Sequence, residues 1–279
     1  MKKNSLIERA KRFIMSPVQN LTWLVYQRKR SPNQNLFLIT FNHGGTHWLR
    51  MIFSQALIMA HDLDDDITDI KNFSLVPPYH RKQHRFKYNE DTNILRIQQS
   101  HAEYSSLHFK GQRVLLLVRD LRDTLVSHYK SQNEKTGAHI GFSEYLRSTK
   151  IANNFNDRIS FLNSWEGVEN DLLSFDIVRF EDMKSAPINT LKPIFEKYFP
   201  DIQDIDELIK SCLEASSIEN MKKLEETTSY NPDRETYTKV RDGGTRKYLD
   251  YFTDEDKGYF LEHVNARLKN TFGYDYTDW

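Results

Sequence analysis

Three groups of residues carry the types and spacing that chemistry needs. The first is Asn42-His43-Gly44-Gly45-Thr46-His47-Trp48. It follows a short apolar run and leads into a segment with helical periodicity. Two adjacent glycines let the backbone approach a ligand closely, and the amides that open the helix then form an anion site. Thr46 and His47 add side-chain donors. The second group is Arg119-Asp120, directly after the apolar run Arg113–Val118, with Ser127 eight residues on. If Asp120 caps a helix, Ser127 lies about two turns in, and a guanidinium and a hydroxyl are available for another anionic group. The third is Lys239-Val240-Arg241-Asp242-Gly243-Gly244-Thr245-Arg246-Lys247, a cationic stretch with two glycines. Together they describe a ligand with two separate anionic ends.

The glycine turn is not a Walker A loop, which has a longer interval between glycines followed by Lys and Ser or Thr. A plain ATPase or GTPase is therefore disfavoured. His43 and His47 stand four apart, but His43 precedes the helix and no acid lies nearby in sequence, so no metal site is expected. Glu181-Asp182 reads as a helix start that pairs with Arg119 or Arg122, not as a catalytic carboxylate pair.

The elements that must hold these groups follow from periodicity. Asn35–Phe41 is a nearly continuous apolar run and reads as a strand buried on both faces. Arg113–Val118 is the strongest strand in the chain. Ile94–Gln98 and Phe175–Phe180 are shorter ones. Helical patterns occupy 48–57, 120–129, 142–172, 187–199, 204–225 and 254–270. Strands alternating with helices predict an α/β fold, a central parallel sheet flanked by helices. In such sheets ligands bind beyond the carboxyl ends of the strands, where the first two groups lie. Residues 62–92 and 226–247 are polar and charge-rich and read as long loops, often functional in a compact domain.

Composition narrows the classes. The 279 residues suit one large domain, with 39 basic and 39 acidic residues and no formal net charge. A general nucleic-acid binder would carry a basic excess, so that partner is not expected. The single cysteine, Cys212, allows no internal disulfide and fits a reducing compartment. No apolar stretch approaches the length of a membrane span, and no secretory signal pattern opens the chain, which points to a cytoplasmic protein. Residues 1–34 form a separate segment ahead of a domain over 35–279. Their first 30 residues hold eight basic groups against the single acid Glu8, with Leu6, Ala10, Phe13 and Ile14 at helical spacing. Two readings stand: an amphipathic segment on the inner membrane face, or a helix packed on the domain.

Four motifs in order resemble the sulfotransferases that use 3′-phosphoadenosine 5′-phosphosulfate (PAPS), cytosolic-type members and their bacterial relatives. TFNHGGTHWL (40–49) resembles their phosphosulfate loop, and VRDLRDTLVSHY (118–129) their 3′-phosphate strand and helix. Ser164-Trp165 with VRFEDMK (178–184) resembles a further strand end. VRDGGTRKYLDYFT (240–253) resembles the loop that closes over the nucleotide, and SSIENMKK (216–223) stands where an adenine-contacting segment is expected. The resemblance covers about 36–273 and implies a P-loop-like sulfotransferase fold and sulfuryl transfer from PAPS to a hydroxyl. The product is 3′,5′-adenosine bisphosphate, and no metal is implied.

The resemblance also implies roles. His43, Gly44, Gly45, Thr46 and His47 would hold the phosphosulfate, with Trp48 stacked on adenine. Arg119, Ser127, Arg241 and Gly243 would take the 3′-phosphate. Phe180, Ser216 and Ile218 would line the adenine pocket. His101, just after a strand, would be the general base, and His43 stands where relatives keep a catalytic lysine. Asp242 replaces a lysine of the family pattern, Tyr248 a tryptophan and Phe180 a tyrosine. The polarity of the two long loops points to a saccharide or glycoconjugate acceptor. The competing classes are a non-catalytic PAPS-binding protein of the same fold and a kinase-like phosphotransferase.

Overall fold

The computed structural model describes residues 31–63, 77, 88, 90–137, 139–227 and 240–279. The basic segment 1–30 and most of the two long loops lie outside the described residues. Four strands make one sheet: β1 (Asn35–Thr40), β2 (Arg96–Ser100), β3 (Arg113–Val118) and β4 (Ser174–Arg179). The order is β2-β1-β3-β4 and every pair is parallel.

Burial on both faces explains the apolar runs. Leu36, Leu38, Leu115 and Leu117 point into one core layer, Phe37, Ile39, Val114 and Leu116 into the other. The first layer is closed by α1 (Thr46–His61) and, further along the chain, by α6 (Phe180–Ser185), α7 (Pro187–Tyr198) and α8 (Ile205–Ala215). The second is closed by α3 (Leu121–Thr136), α4 (Phe142–Arg147), α5 (Phe155–Ser164) and α10 (Asp254–Arg267). A single turn, α2 (Ser106–Phe109), precedes β3, and α9 (Ile218–Thr227) follows α8. Among the described residues no helix is long and apolar enough to cross a membrane.

Several boundaries differ from expectation. β2 begins two residues later than the apolar signal, because Arg96 is the residue that pairs with Asn35 at the start of β1. Its Gln98, Gln99 and Ser100 are buried although polar. β4 ends at Arg179, and Phe180 begins α6. The helical stretch 142–172 is broken: Asn154 starts α5 with a reciprocal cap, its side chain accepting from Asp157 N while Asp157 accepts from Asn154 N. The stretch 204–225 divides at Ser216.

Glu181 and Asp182 do not pair with Arg119 or Arg122. Glu181 accepts from the Asp120 amide at 3.2 Å and from the Tyr274 hydroxyl, and Asp182 stands 3.9 Å from Arg179. Arg122 is buried against Asp120 (2.7 Å), over the Tyr248 ring, and donates to the Asp275 and Asp278 carbonyls of the C-terminal tail. An acid nearer in sequence and already buried takes the guanidinium.

β1 runs to α1 and returns as β2 on one side, while β3 lies on the other side of β1. The two chains leaving β1 and β3 therefore diverge, and a crevice opens between them. The bend after β1 is tight. Gly44 N donates to Phe41 O at 3.0 Å, His43 has φ 69° and Gly45 φ 97°. A Cβ on Gly45 would sit 2.5 Å from the Phe180 ring. Gly45→Ala is expected to destabilise the protein by about 1–3 kcal/mol through strain and overlap together, read as a lowered urea midpoint at unchanged slope.

Candidate functional site

A cavity of about 920 Å³ occupies the crevice. His43, Gly45, Thr46, His47, Trp48, His101, Arg119, Ser127, Phe180, Ser216, Ile218, Arg241 and Gly243 all line it. One expected residue does not. Gly44 turns away from the cavity, and a Cβ there would meet Thr40 Oγ1 at 2.4 Å, so its glycine is required by packing behind the loop.

The glycine-turn end has the character of an anion site. Thr46 opens α1 beside the turn, and its buried hydroxyl makes no hydrogen bond within the protein. On the neighbouring strand end, Arg119 donates through Nη1 to His43 O (3.1 Å) and through Nη2 to Gly244 O (2.8 Å), leaving a buried Nε without a protein partner. The Phe180 ring lies 4.4 Å beneath its guanidinium. One arginine thus bridges the glycine turn and the C-terminal loop. Ser127, on α3, reaches His43 Nδ1 in a long contact of 3.4 Å.

The C-terminal loop is held by its own pairs. Arg241 donates to Ser127 O (2.6 Å) and Glu134 (2.8 Å). Asp242 accepts from Gly244 N at 3.1 Å and pairs with Lys247 at 3.2 Å, which holds its carboxyl below the usual carboxylate range. Asp123 accepts the Arg246 and Tyr248 amides, and burial raises its pKa. Trp48 meets Phe180 edge-on at 5.7 Å with Lys184 5.6 Å above it, giving the cavity an aromatic wall. The Ser216 hydroxyl donates to Cys212 O at 2.7 Å, which leaves only its oxygen lone pairs to accept.

His101 leaves β2 at the edge of the same cavity. Its Nδ1 lies 2.6 Å from Thr40 O. A carbonyl can only accept, so Nδ1 carries the hydrogen and Nε2 is the basic nitrogen. Burial pushes its pKa down to about 4, with the Thr40 contact opposing and Arg50 reinforcing. His43 lies well below its ordinary value through burial, then Arg158, His128, Arg241 and Lys135. His128, missed from the sequence, lies 5.1 Å from His43 ring to ring and bonds Tyr145 at 2.7 Å. Burial and the same cations push its pKa down to about 3.

Lys130, Ser131 and Lys135 also line the cavity and share the α3 face of Ser127, a helical spacing that could have disclosed them. Arg158 and Asn153 carry no such signal. No group of three or more His, Cys, Asp or Glu among the described residues is placed to hold a metal.

The sulfotransferase domain family matches residues 33–272. The chain belongs to this family. It is a sulfotransferase, with the parallel α/β architecture expected of one. Mouse sulfotransferase SULT7A1, solved with PAP, is 17% identical, with 87% of each chain covered and a TM-score of 0.58. Retinol dehydratase, solved with androsterone and the inactive cofactor PAP, is 15% identical, with 89% of this chain and 84% of that chain covered and a TM-score of 0.61. No curated protein matches.

The neutral histidines make stability depend on pH. Each has its folded pKa below the unfolded value near 6.5, so the unfolded chain binds more protons below about 6.5, down to about 4 for His101 and about 3 for His128. Stability is full above about 6.5 and falls as pH drops below it, by roughly 1–2 kcal/mol at pH 5 for each of His101 and His128. Thermal melts at pH 7.5 and 5.0 should show a lower midpoint at pH 5.0, and His128→Phe should reduce the difference.

Proposed function

We propose that the chain transfers the sulfuryl group of PAPS to a hydroxyl of a saccharide or glycoconjugate, releasing 3′,5′-adenosine bisphosphate. The observation that carries this reading is the pairing, within one cavity, of the Thr46 helix start with Arg119 from the next strand end. Each presents a buried donor that the protein itself leaves without a partner. A ligand with phosphoryl groups at both ends of an adenosine satisfies both.

Gly45, Thr46, His47 and the α1 amides hold the 5′ group in this reading, with His43 beside them. Arg119, Ser127, Arg241 and Gly243 hold the 3′-phosphate. Trp48, Phe180, Ser216 and Ile218 enclose the purine. The donor supplies an activated sulfuryl group; the protein supplies alignment and charge stabilisation, as in phosphoryl transfer. His101 Nε2 receives the acceptor proton, while Thr40 O fixes the tautomer through Nδ1. Such acid–base assistance is worth ~10²–10⁴-fold. His43, neutral in the free protein, serves as a hydrogen-bond donor to the leaving oxygen or takes a proton once an anion binds beside it.

The acceptor reading rests on the cavity wall next to His43 and on the polar loops. Asn42, Gln132, Lys135, Lys150 and Asn153 line that wall, a surface better matched to a hydroxyl-rich acceptor than to a flat apolar one. The associated cytoplasmic placement, with segment 1–30 against the inner membrane face, predicts co-sedimentation with anionic vesicles that is lost on deleting 1–30.

Titration with PAPS, adenosine bisphosphate and ATP, followed by transfer of labelled sulfate to panels of glycans, steroids and phenols, tests the whole. Tight bisphosphate binding with label on a glycan is expected. ATP preference, or label confined to steroids and phenols, would refute the donor or the acceptor respectively. His101→Ala should lower kcat by ~10²–10⁴-fold with bisphosphate affinity nearly unchanged; unchanged turnover would remove His101 from the mechanism. His43→Ala should cost ~10²-fold or more in kcat if His43 is the group on the leaving oxygen.

A further inference from the structure

Arg158 is an unusual residue for its position. It lies one turn into α5, beneath the bend that follows β1, and is 1% exposed. Its Nη1 donates to Asn42 O at 2.9 Å and its guanidinium covers the Phe41 ring at 4.7 Å. Its Nε and Nη2 are buried and, apart from the Tyr145 hydroxyl nearby, make no hydrogen bond within the protein. Among the described residues no carboxylate is within ion-pair reach of it. The acid next to it in sequence, Asp157, is occupied in the α5 cap, and the Tyr145 hydroxyl offsets only part of the charge. A buried cation left this way is costly, and proteins usually pair it or replace it.

The surroundings show what the charge faces. Asn42 is gripped twice from the α5 side, its carbonyl by Arg158 and its side chain by Asn153 at 3.2 Å. His43 follows at positive φ, its carbonyl held from the opposite side by Arg119. Two guanidinia therefore fix consecutive carbonyls of the bend that carries His43 and leads into Thr46. Backbone in this sparsely populated region persists only when its surroundings over-determine it. The same charge adds to burial in disfavouring the charged forms of His43 and His128.

We propose that Arg158 is a positioning residue for sulfuryl transfer: it clamps the Asn42-His43 bend from beneath and supplies a buried positive charge whose counter-charge is the donor's 5′ anionic group. The assignment rests on the PAPS reading above and names a residue that does not line the donor cavity. Arg158 acts through the loop, on the end of the cavity where charge moves during transfer, and not at the 3′-phosphate, which Arg119 and Arg241 serve.

The test separates the two ends of the nucleotide. Wild type, Arg158→Met, Arg158→Gln and Arg158→Lys are titrated by calorimetry with 3′,5′-adenosine bisphosphate and with adenosine 3′-monophosphate, which keeps the purine and 3′-phosphate and lacks the 5′ group. Thermal melts establish which variants fold. Arg158→Met should lose about tenfold or more in bisphosphate affinity and less than about twofold in monophosphate affinity. Arg158→Lys should regain part of the loss. Arg158→Gln offers Asn42 a donor without the charge, and it stands in if the methionine variant does not fold. It too should show the selective loss. With PAPS, kcat should fall while the acceptor KM stays near wild type. Equal weakening of both nucleotides, or of neither, in the folded variants would overturn the proposal and leave the donor assignment standing. Wild-type protein that binds neither nucleotide would overturn the donor assignment and this inference with it.

Discussion

The parallel pairing of β1 with β3 is the constraint on which everything else rests. With Thr40 opposite Leu117, the two strands end level with each other and their chains leave in different directions. The glycine turn and Arg119 are thereby placed at adjacent strand ends, close enough for Arg119 to donate to His43 O. The pairing is secured by apolar side chains on both faces, Leu36 and Leu38 into one layer and Phe37 and Ile39 into the other. A one-residue slip would exchange the two layers and separate the anchors, and burial on both faces resists such a slip.

Charge is distributed unevenly in a chain that carries none overall. Arg119 and Arg241 line the crevice with Arg158 behind its bend, and among the described residues only Arg241 of the three has a carboxylate partner, Glu134. Burial, reinforced by Arg158 and Arg241, lowers the pKa of His43 and of His128. Cations grouped at one end of a crevice favour an anion there. The cations that serve only the architecture are paired locally instead. Arg122 lies against Asp120, and Arg147 bonds the buried Asp256.

Much of the fold, and most of the residues that line the cavity, were legible in the residue order. β1 and β3 announce themselves because strands buried on both faces read as unbroken apolar runs, and Asp120 capped α3 as its type and place required. β2 was harder, since Gln98, Gln99 and Ser100 are buried by position in the sheet rather than by hydrophobicity. The break between α4 and α5 lies in a polar loop whose end depends on the reciprocal cap at Asn154 and Asp157, a short-range signal that the apolar pattern masks. Gly44 was legible as a glycine that matters, although for packing against Thr40 rather than for ligand approach.

Residue order alone determined the alternation of strands and helices, the turn that only glycine can make at Gly45, and the family that its four ordered motifs mark. These are local or nearly local properties, set by steric allowance and by apolar periodicity. The tertiary structure alone decided that Arg158 lies 116 positions from Asn42 and yet holds its carbonyl. It also decided that the His101 tautomer is set by Thr40, and that burial disfavours the charged forms of His43, His101 and His128. Such facts depend on which groups folding brings together and on how much water it removes around them, and neither distance nor dielectric is written in the order of residues.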